Sequence, residues 1–526
     1  MKTKEKWLNF RPIAICALLL CLGVFIGSLI FTQGFSFVYL VLESLIILTF
    51  VAVVKFKAVL SYFGKHFLLV SFGVLMFIFG MLSFIINATS YINKEYSTQV
   101  ISATATVTKI GKTYILIDNV KADSFYSNTS GEYETDYAVS GSYYCYVANG
   151  EPFDFKIGDN ITFNGKIDFF EITNDNNEIN SGVVYNHIYG RIYNASVYKT
   201  GTISKTDLFM DLRNNVRNVL HDNMSNDSAS VAYSMLFGDK GELSDEIIED
   251  FKTTGVMHLL AVSGLHIGFL VALISVALKA MKVKPKVRAG IIFALCFIYA
   301  WICGFTPSVV RAMIMTITIL IAGIGRKQYD MLNALSFSII LILIANSGAL
   351  FHIGFQLSVL SVLYISFFGI ILKKWLSKIL PGGVASALSV TFCTQLGTLP
   401  ILIKIYGSYS AISILANLII VPVASLAFEI LVASLLVLIV VPSIGLILRF
   451  SQLFYDFIIF VARAVADSKF LTNLTFNWLQ FIILAICATL LSQYVFLKRK
   501  TKLTILLVLL VTLLSLFGVN LIIPSI

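Results

Sequence analysis

The run IAICALLLCLGVFIGSLIF, residues 13–31, contains nineteen residues and no charged side chain. A helix needs about 20 such residues to cross the hydrocarbon core of a bilayer. Four basic residues precede the run, as they would in a secretory signal, namely Lys2, Lys4, Lys6 and Arg11. The run is longer than the apolar part of a signal peptide, and further apolar runs follow it at once. We therefore interpret it as a retained membrane helix.

The composition of the whole chain extends this interpretation. Of its 526 residues, 57% are hydrophobic and only 13% are charged, against about 25% charged in a typical soluble domain. An ordinary water-soluble protein is excluded. Nine prolines and 33 glycines also exclude a collagenous or disordered chain. The sequence predicts a polytopic α-helical membrane protein.

Thirteen apolar runs are candidates for membrane helices. They lie near 13–31, 36–54, 67–86, 258–281, 289–305, 309–324, 332–347, 353–372, 384–403, 411–440, 444–466, 476–497 and 503–523. The run 411–440 is over-long and contains Pro422, and 444–466 carries Arg449, Asp456 and Arg463, so either one could fail to cross. We expect about 11–13 transmembrane helices.

Basic residues orient these helices, because Lys and Arg concentrate in cytoplasmic loops. They precede the first run and recur between the second and third, at Lys55, Lys57 and Lys65. We predict a multi-pass membrane protein with a cytoplasmic amino terminus and residues 87–257 outside. The net charge of +10 at first suggests nucleic-acid binding, but residues 87–200 hold 8 basic and 13 acidic residues, a net of −5. The excess positive charge is mainly an orientation signal.

The pattern divides the chain into four parts: three membrane helices in 1–86, a β domain in 87–204, juxtamembrane helices in 205–257 and a helical membrane domain in 258–526. Threonines that alternate with apolar residues predict a strand at 103–108. Segments rich in β-branched and aromatic residues predict further strands at 113–117, 142–148, 160–170 and 183–198. Five or so short strands suggest a small OB-like barrel, with a sandwich as the alternative.

Residues 205–257 change to a helical period with mixed charges. Ser244 precedes two acidic residues and predicts a helix start, and Gly255 predicts the end of that helix. One interpretation is a gate or entry platform beside the membrane. The other is an amphipathic connector lying on the bilayer surface.

Arg311 is the sharpest candidate for a functional residue. It follows the junction GFTPS, residues 304–308, and lies near the start of the next apolar run. An ionisable group inside a bilayer costs about 2.5 to 3.5 kcal/mol on insertion scales, so it usually faces a cavity or a partner. A guanidinium there could contact a phosphate on a pathway. The alternative is that it snorkels outward or binds a backbone carbonyl.

The stretch HLLAVSGLHIG, residues 258–268, is predicted to begin one apolar helix with His258, Ser263 and His266 near its start. Ser263 and His266 are three residues apart and would share a helix face. A nucleophile with its base is conceivable, but no acidic residue lies nearby and the pattern Gly-x-Ser-x-Gly is not formed. Packing or pore lining by small and polar residues is the alternative that we favour.

Motifs for metals and nucleotides give little support to other chemistry. The six histidines are scattered without an HExxH pattern, so we predict no metal site and no cofactor. No segment matches the phosphate-binding pattern GxxxxGK[ST]. An ATPase that drives transport would have to be another chain.

Further polar residues and prolines recur in the last half of the chain, and we count them as candidates for a pathway: Gln356, Ser358, Gln395, Pro400, Asn417 and Pro422. Proline together with amide side chains fits broken helices that line a cavity. The alternative is interhelical hydrogen bonding between packed helices.

Taken in order, these stretches resemble the ComEC competence family of polytopic DNA channels. Residues 258–269 resemble its HLLAxSGLHI signature, 304–315 its G-x-x-x-S-x-x-RA-x-x-M block and 354–358 its GFQLS block. Residues 394–400 and 416–422 are similar to its QL-x-T-x-P and AN blocks, and 235–240 resemble the approach to the first signature.

This resemblance implies a multi-pass protein of a bacterial plasma membrane. It would have an extracytoplasmic OB-like domain and a helical domain that passes single-stranded DNA into the cytoplasm during natural transformation. Arg311 would contact the phosphates of the strand, and the other polar candidates would lie near its path. A separate DNA receptor, a cytoplasmic ATPase and a nuclease would be partners, beside the lipid bilayer itself. Many members carry a carboxyl-terminal metallo-β-lactamase-like domain, and this sequence ends at Ile526 without its histidine cluster, so we expect a form without it and without catalytic activity.

Two other functions stay open from the sequence. The first is a transporter or permease for another anionic or small substrate. The second is an intramembrane hydrolase that uses Ser263 and His266.

Overall fold

The computed structural model describes most of the chain, with gaps. The described residues are 11–33, 56–92, 99–110, 114–126, 133–139, 142–147, 158–173, 179–202, 208–406, 409–410, 412–440, 446–467 and 471–472, with 483 and 505. The predicted runs 36–54, 476–497 and 503–523 lie outside them, apart from the single residues 483 and 505.

Helices make up most of the described chain. They are α1 (Pro12–Gln33), α2 (Phe56–Ile92), α3 (Ser181–Asn186), α4 (Leu208–Asn223), α5 (Asn226–Phe237), α6 (Asp245–Thr253), α7 (Gly264–Ala280), α8 (Pro285–Ile302), α9 (Pro307–Ile324), α10 (Met331–Ala345), α11 (Ile353–Leu376), α12 (Gly382–Tyr406), α13 (Ile412–Val440) and α14 (Leu446–Ala466). Short 3₁₀ turns span Met257–Leu260 and Ser347–Phe351.

The strands are β1 (Gln99–Ile110), β2 (Ile115–Tyr126), β3 (Tyr133–Val139), β4 (Ser142–Val147), β5 (Asp159–Phe169), β6 (Ile188–Thr202), β7 (Tyr409–Ser410) and β8 (Leu471–Thr472). The chain forms two compact units. One consists of Pro12–Leu212 with Ile339–Phe355, and the other of Met1–Arg11, Arg213–Ser338 and Gln356–Ile526.

Seven of the described helices contain a stretch that is long and apolar enough to cross a membrane. They are α1, α2, α8, α9, α11, α12 and α13. With 17 and 15 residues, α7 and α10 are shorter apolar helices. The polytopic helical membrane protein expected from the composition is therefore confirmed. The total of 11–13 helices stays a prediction, because part of the chain lies outside the described residues.

Small residues allow α1 and α2 to pack with their backbones in contact. A Cβ atom added at Gly80 would lie 2.6 Å from the carbonyl oxygen of Leu20, and one at Gly27 would lie 2.8 Å from that of Met81. Gly23 faces the carbonyl of Phe77 in the same way. Close approach through small residues is the usual way in which membrane helices associate, because lipid gives no hydrophobic force between them.

Five strands close into a small barrel. β1 pairs with β2 on one side and β5 on the other, β5 continues to β6, and β4 joins β6 to β2. The β4–β6 pair is parallel and the others are antiparallel. β3 extends the sheet beyond β2. Alternate residues fill the interior, for example Ile117, Phe163 and Ile192 with no exposed surface.

The prediction of one strand over 183–198 is wrong at its beginning, because residues 181–186 form helix α3. Asn180 caps this helix, since its Oδ1 accepts a hydrogen bond from the backbone N–H of Gly182 at 3.1 Å. Val184 is fully buried beside Val24 and Phe84. Tertiary packing and the cap thus override the β propensity of two adjacent valines.

Helices α4, α5 and α6 each place buried side chains in the core of their unit. Residues 228–237 of α5 are all buried, and they form one hydrophobic cluster with residues of α13 and α14 such as Phe428 and Tyr455. The predicted cap at Ser244 is confirmed, because its Oγ accepts from Ile247 N–H at 3.3 Å. Gly255 follows the end of α6 with a φ of +72°.

The prediction that a helix begins near 258 is wrong. Residues 257–260 form a 3₁₀ turn, Ala261 is extended, and the helix α7 begins only at Gly264. Apolar residues alone cannot mark this boundary. It is set by Ser263, whose side chain and backbone both bond to the first turn of α7.

The packing of α1 against α2 gives a stability prediction. We expect Gly80→Ala to destabilise the protein by about 1 to 3 kcal/mol, the usual effect of overpacking, because the new methyl group would meet a backbone carbonyl that cannot move aside. Gly290→Ala on α8 is the matched control, since a Cβ there meets nothing within 4 Å. Thermal unfolding in detergent measures both variants, and an equal effect of the two would contradict the close packing of α1 on α2.

Candidate functional site

The segment between α6 and α7 is held by hydrogen bonds from several helices. Thr254 donates its hydroxyl to the carbonyl of Ala462 at 2.8 Å, and Ser234 donates to Leu260 O at 3.1 Å. Ser308, in the first turn of α9, donates to Val262 O at 2.9 Å. His258 approaches Gly255 O through Nδ1 at 3.2 Å. The first two sequence blocks, 258–269 and 304–315, therefore meet at this segment.

Ser263 and His266 form a capping box at the start of α7. The Ser263 Oγ accepts from Leu265 N–H at 3.3 Å, and His266 Nδ1 accepts the backbone N–H of Ser263 at 3.0 Å. The His266 ring is 1% exposed and lies on Phe428, with ring centroids 4.5 Å apart. Nδ1 is the ring nitrogen nearest to Ser263 Oγ, at 3.5 Å. Because it already accepts the backbone N–H, the geometry favours a structural cap over a nucleophile with its base.

Arg311 lies in the first turns of α9 with only 5% of its surface exposed. Its guanidinium rests against Gly264, where an added Cβ atom would overlap Nη2. Nη1 lies 3.9 Å from the sulfur of Met315, and Nε is buried with no hydrogen-bond partner among the described residues. Among the described residues, no carboxylate forms a salt bridge with it.

The electrostatic setting of Arg311 is unusual for a buried cation. It lies near the start of its own helix and against the start of α7. The amino-terminal ends of helices carry partial positive charge, so both dipoles disfavour a cation there. Removing a guanidinium from water is also unfavourable unless a counter-charge compensates it. An anion bound beside Arg311 would be stabilised by the guanidinium and by the amino-terminal ends of α7 and α9. We therefore call this place a candidate anion site.

The other predicted pathway residues lie on α11, α12 and α13. Gln356 and Ser358 are half-buried on α11, whereas Gln395 and Pro400 are on α12. Both amide atoms of Gln395 are buried without a hydrogen-bond partner. Helix α12 approaches α11 closely two residues later, since a Cβ at Gly397 would lie 2.9 Å from Leu360 O.

Asn417 and Pro422 lie on α13, the helix that also carries Phe428. Asn417 is 1% exposed. The expectation of broken helices is wrong in the described chain, because α12 continues through Pro400 and α13 through Pro422. Each proline removes one backbone hydrogen bond, and packing against neighbouring helices is enough to keep the helix continuous. A role of these residues in a pathway stays a prediction.

Sequence reasoning missed the contributions of Gly264 and Ser308. Gly264 leaves the space that the Arg311 guanidinium occupies, and Ser308 fastens the start of α9 to the segment before α7. Both residues stand at helix starts, directly after Ser263 and Pro307. The signal that could have indicated Gly264 is a small residue beside the capping residue Ser263. For Ser308 it is a hydroxyl group directly after the proline that begins α9.

Sequence reasoning also missed a charged layer between α14 and the helices α5 and α6. Arg463 of α14 pairs with Glu246 at 3.1 Å and with Asp250 at 3.5 Å. Asp456 accepts a hydrogen bond from Ser228. The charges that cast doubt on 444–466 as a membrane span thus face polar partners in the same unit, and α14 is not among the seven apolar helices.

Possible metal ligands do not gather in the described residues, where no group of three or more His, Cys, Asp or Glu side chains could hold an ion. We therefore assign no metal ligands.

A family model described as "Competence protein" matches residues 235–501. The match covers half of the chain and includes both the capping box and Arg311. The chain belongs to the competence protein family. No solved structure matches it.

Several curated proteins are similar to this member of the competence family over part of their length. ComE operon protein 3 of Bacillus subtilis (strain 168) is 27% identical over 234 residues, which make up 44% of this chain and 30% of that protein. An uncharacterized protein of Aquifex aeolicus (strain VF5) is 28% identical over 237 residues, 43% of this chain and 54% of that protein. Uncharacterized protein MG316 of Mycoplasma genitalium is 28% identical over 196 residues, 37% of this chain and 49% of that protein. The matched region spans between about a third and about half of these relatives.

The charged layer gives a prediction on pH. Burial raises the pKa of Asp250, and the Arg463 guanidinium opposes that rise. In Arg463→Gln we expect the pKa of Asp250 to rise further. The charged carboxylate then disfavours folding near pH 7.5, so the variant is less stable than the wild type there. This loss of stability should shrink as the pH falls towards 5, because Asp250 becomes protonated in the folded state.

Thermal unfolding at the two pH values measures this effect. Lys252→Gln is the matched control, because Lys252 pairs with Glu249 at 3.2 Å on an exposed surface, where such pairs contribute little. A loss of stability in Arg463→Gln that is independent of pH would contradict the role given to Asp250.

Proposed function

We propose that this chain is a plasma-membrane channel that imports single-stranded DNA during natural transformation. Membership of the competence family supports a role in DNA uptake, and the buried Arg311 carries the more specific claim. A DNA strand presents a phosphate at every nucleotide, and Arg binds phosphate oxygens through its planar fork of N–H donors. A strand that passes between α7 and α9 would supply the anion that the site lacks.

The site would have to open for this to happen, because Arg311 is 5% exposed. The geometry suggests where. Among the described residues, one hydrogen bond joins the start of α9 to the segment before α7. It runs from the Ser308 hydroxyl to Val262 O. At Gly264 the guanidinium packs directly on the backbone. Separation of the two helix starts would expose the guanidinium at the loss of that hydrogen bond, roughly 1 kcal/mol, and of the apolar contacts that join Val262, Ile267 and Val309 in one buried cluster.

The β domain fits this proposal as an extracytoplasmic OB-like module. Its closed ring, with strands in the order β1-β2-β4-β6-β5 and a parallel β4–β6 pair, supports the OB assignment over a sandwich. The basic residues that flank the first helices support a cytoplasmic amino terminus, with residues 87–257 outside. We further propose the four predicted parts, 1–86, 87–204, 205–257 and 258–526, as functional segments.

Energy and strand processing would come from other chains in this proposal. A DNA receptor would deliver the strand, and an ATPase and a nuclease would drive and prepare it. The chain itself would act without catalysis, since Ser263 and His266 serve the helix cap. The remaining polar candidates on α11–α13 would line the path.

The test changes Arg311 and the glycine on which its guanidinium rests, Gly264. In a transformable host that depends on this gene, we expect Arg311→Gln to lower transformation by at least 100-fold while labelled DNA still binds to the cell surface. Arg311→Lys should retain part of the activity, because it keeps the charge without the fork. Gly264→Ala should reproduce the defect, since its methyl group displaces the guanidinium.

Arg326→Gln is the matched control, because Arg326 follows the other end of the same helix and is exposed. Immunoblots of membrane fractions check that every variant is made and inserted. Unchanged transformation in Arg311→Gln would contradict the DNA pathway. If import of a small anion fell instead, the result would favour the transporter alternative.

A further inference from the structure

The outer face of the barrel carries a group of aromatic side chains that the import pathway does not use. Along β4, Tyr143 and Cys145 point inward with no exposed surface, so Tyr144 and Tyr146 point outward. On the neighbouring strand β6, Ile192 is fully buried between Arg191 and Tyr193. Outward side chains of these adjacent strands therefore lie side by side.

We call this group the tyrosine patch, and it consists of Tyr114, Tyr144, Tyr146, Phe170, Arg191 and Tyr193. Its members contact one another in a ring. The centroid distances are 4.9 Å for Tyr114–Tyr144, 6.0 Å for Tyr114–Tyr146, 5.6 Å for Tyr146–Tyr193 and 6.2 Å for Tyr144–Phe170. The Arg191 guanidinium closes the ring, 4.8 Å above Tyr193 and 5.7 Å from Phe170. All six side chains are half-buried.

The patch joins five aromatic rings and one guanidinium on the outside of the barrel. Aromatic side chains that remain partly in water on a soluble surface usually mark a site of contact with a ligand or a partner. Their mutual contacts hold the rings in fixed positions before anything binds. Pre-ordered rings lose little conformational entropy on binding, which favours recognition of flat or ring-shaped ligands.

Charge decides which ligand fits the patch. Its cation is neutralised, because Arg191 Nε lies 2.9 Å from Asp168 Oδ2. Lys199 on the same strand is likewise paired, with Asp159 at 2.7 Å. Residues 87–200 carry a net charge of −5. Affinity for nucleic acids comes largely from cations that replace counterions on the phosphates, and stacking sites for single strands combine aromatic rings with a positively charged groove.

We propose that the tyrosine patch binds an uncharged polysaccharide. Ligands of OB-type barrels are chiefly oligonucleotides and oligosaccharides, and the neutral patch on an acidic domain favours the second class. The rings would cover the apolar faces of sugar units, and the Arg191–Asp168 pair would supply both donors and acceptors to their hydroxyl groups. The inference rests on the OB assignment proposed above for the β domain, and it does not depend on import through the membrane helices.

Binding of defined sugars to the whole chain tests this. Purified protein in lipid nanodiscs is titrated calorimetrically with two uncharged hexasaccharides, chitohexaose and cellohexaose, at 150 mM salt. We expect at least one of them to bind, and the double variant Tyr146→Ala, Tyr193→Ala to weaken that binding at least ten-fold. Tyr146→Phe should keep the affinity within about three-fold, because it retains the ring.

Tyr198→Ala is the matched control, since Tyr198 is a 66% exposed tyrosine of β6 outside the patch. Thermal unfolding verifies that each variant is folded. If the double variant does not fold, the single variant Arg191→Leu replaces it, and it should lower the affinity through loss of hydroxyl contacts.

Two results would overturn the proposal. The first is that neither hexasaccharide binds to the folded wild type. The second is that a twelve-residue oligothymidylate binds and loses its affinity in the patch variants, which would assign the patch to single-stranded nucleic acid. The two proposals can fail independently. Arg311→Gln should leave sugar binding unchanged, so a result against DNA import would not change the result for the tyrosine patch.

Discussion

The burial of a guanidinium between two helix starts is the constraint on which the central part of the structure depends. Arg311 can occupy this place only because Gly264 has no side chain, and Gly264 can begin α7 only because Ser263 caps it. The cap in turn uses His266, whose ring is fixed on Phe428 of α13. Four residues from two sequence blocks thus form one unit. Changing any of these four residues would remove or displace the Arg311 guanidinium.

A second layer supports this unit from the side of α14. The helices α4–α6 are buried against α13 and α14, and hydrogen bonds from Thr254 and Ser234 hold the backbone on either side of the 3₁₀ turn. Ionic contacts of Arg463 join α14 to α6, directly before that turn. The turn is therefore fixed by tertiary contacts at both ends. Such support is needed, because an irregular backbone in an apolar setting must have its polar groups satisfied.

Several features were predictable because local physics determines them. Apolar runs of spanning length identify membrane helices, and α8, α9, α11 and α12 begin and end within a few residues of the predicted positions. The cap at Ser244 was predictable because its side chain bonds only to the backbone of the helix that follows it.

The errors fall where contacts with distant residues compete with local preference. Val183 and Val184 form a helix because burial and the Asn180 cap outweigh strand propensity, and the stretch after His258 remains a turn because bonds from other helices fix it.

The sequence by itself determined that this is a polytopic membrane protein of the competence type with an inserted acidic β domain. Hydropathy, charge distribution and ordered motif blocks are properties of the chain that do not require folding. Only the tertiary structure decided that Ser263 and His266 cap a helix, that Arg311 is buried on Gly264 without a carboxylate partner in the described chain, and that six side chains of the barrel form a patch. These residues are between two and about eighty positions apart in the sequence. Which of them meet depends on how helices and strands pack, because a side chain's environment is set mainly by contacts with distant parts of the chain.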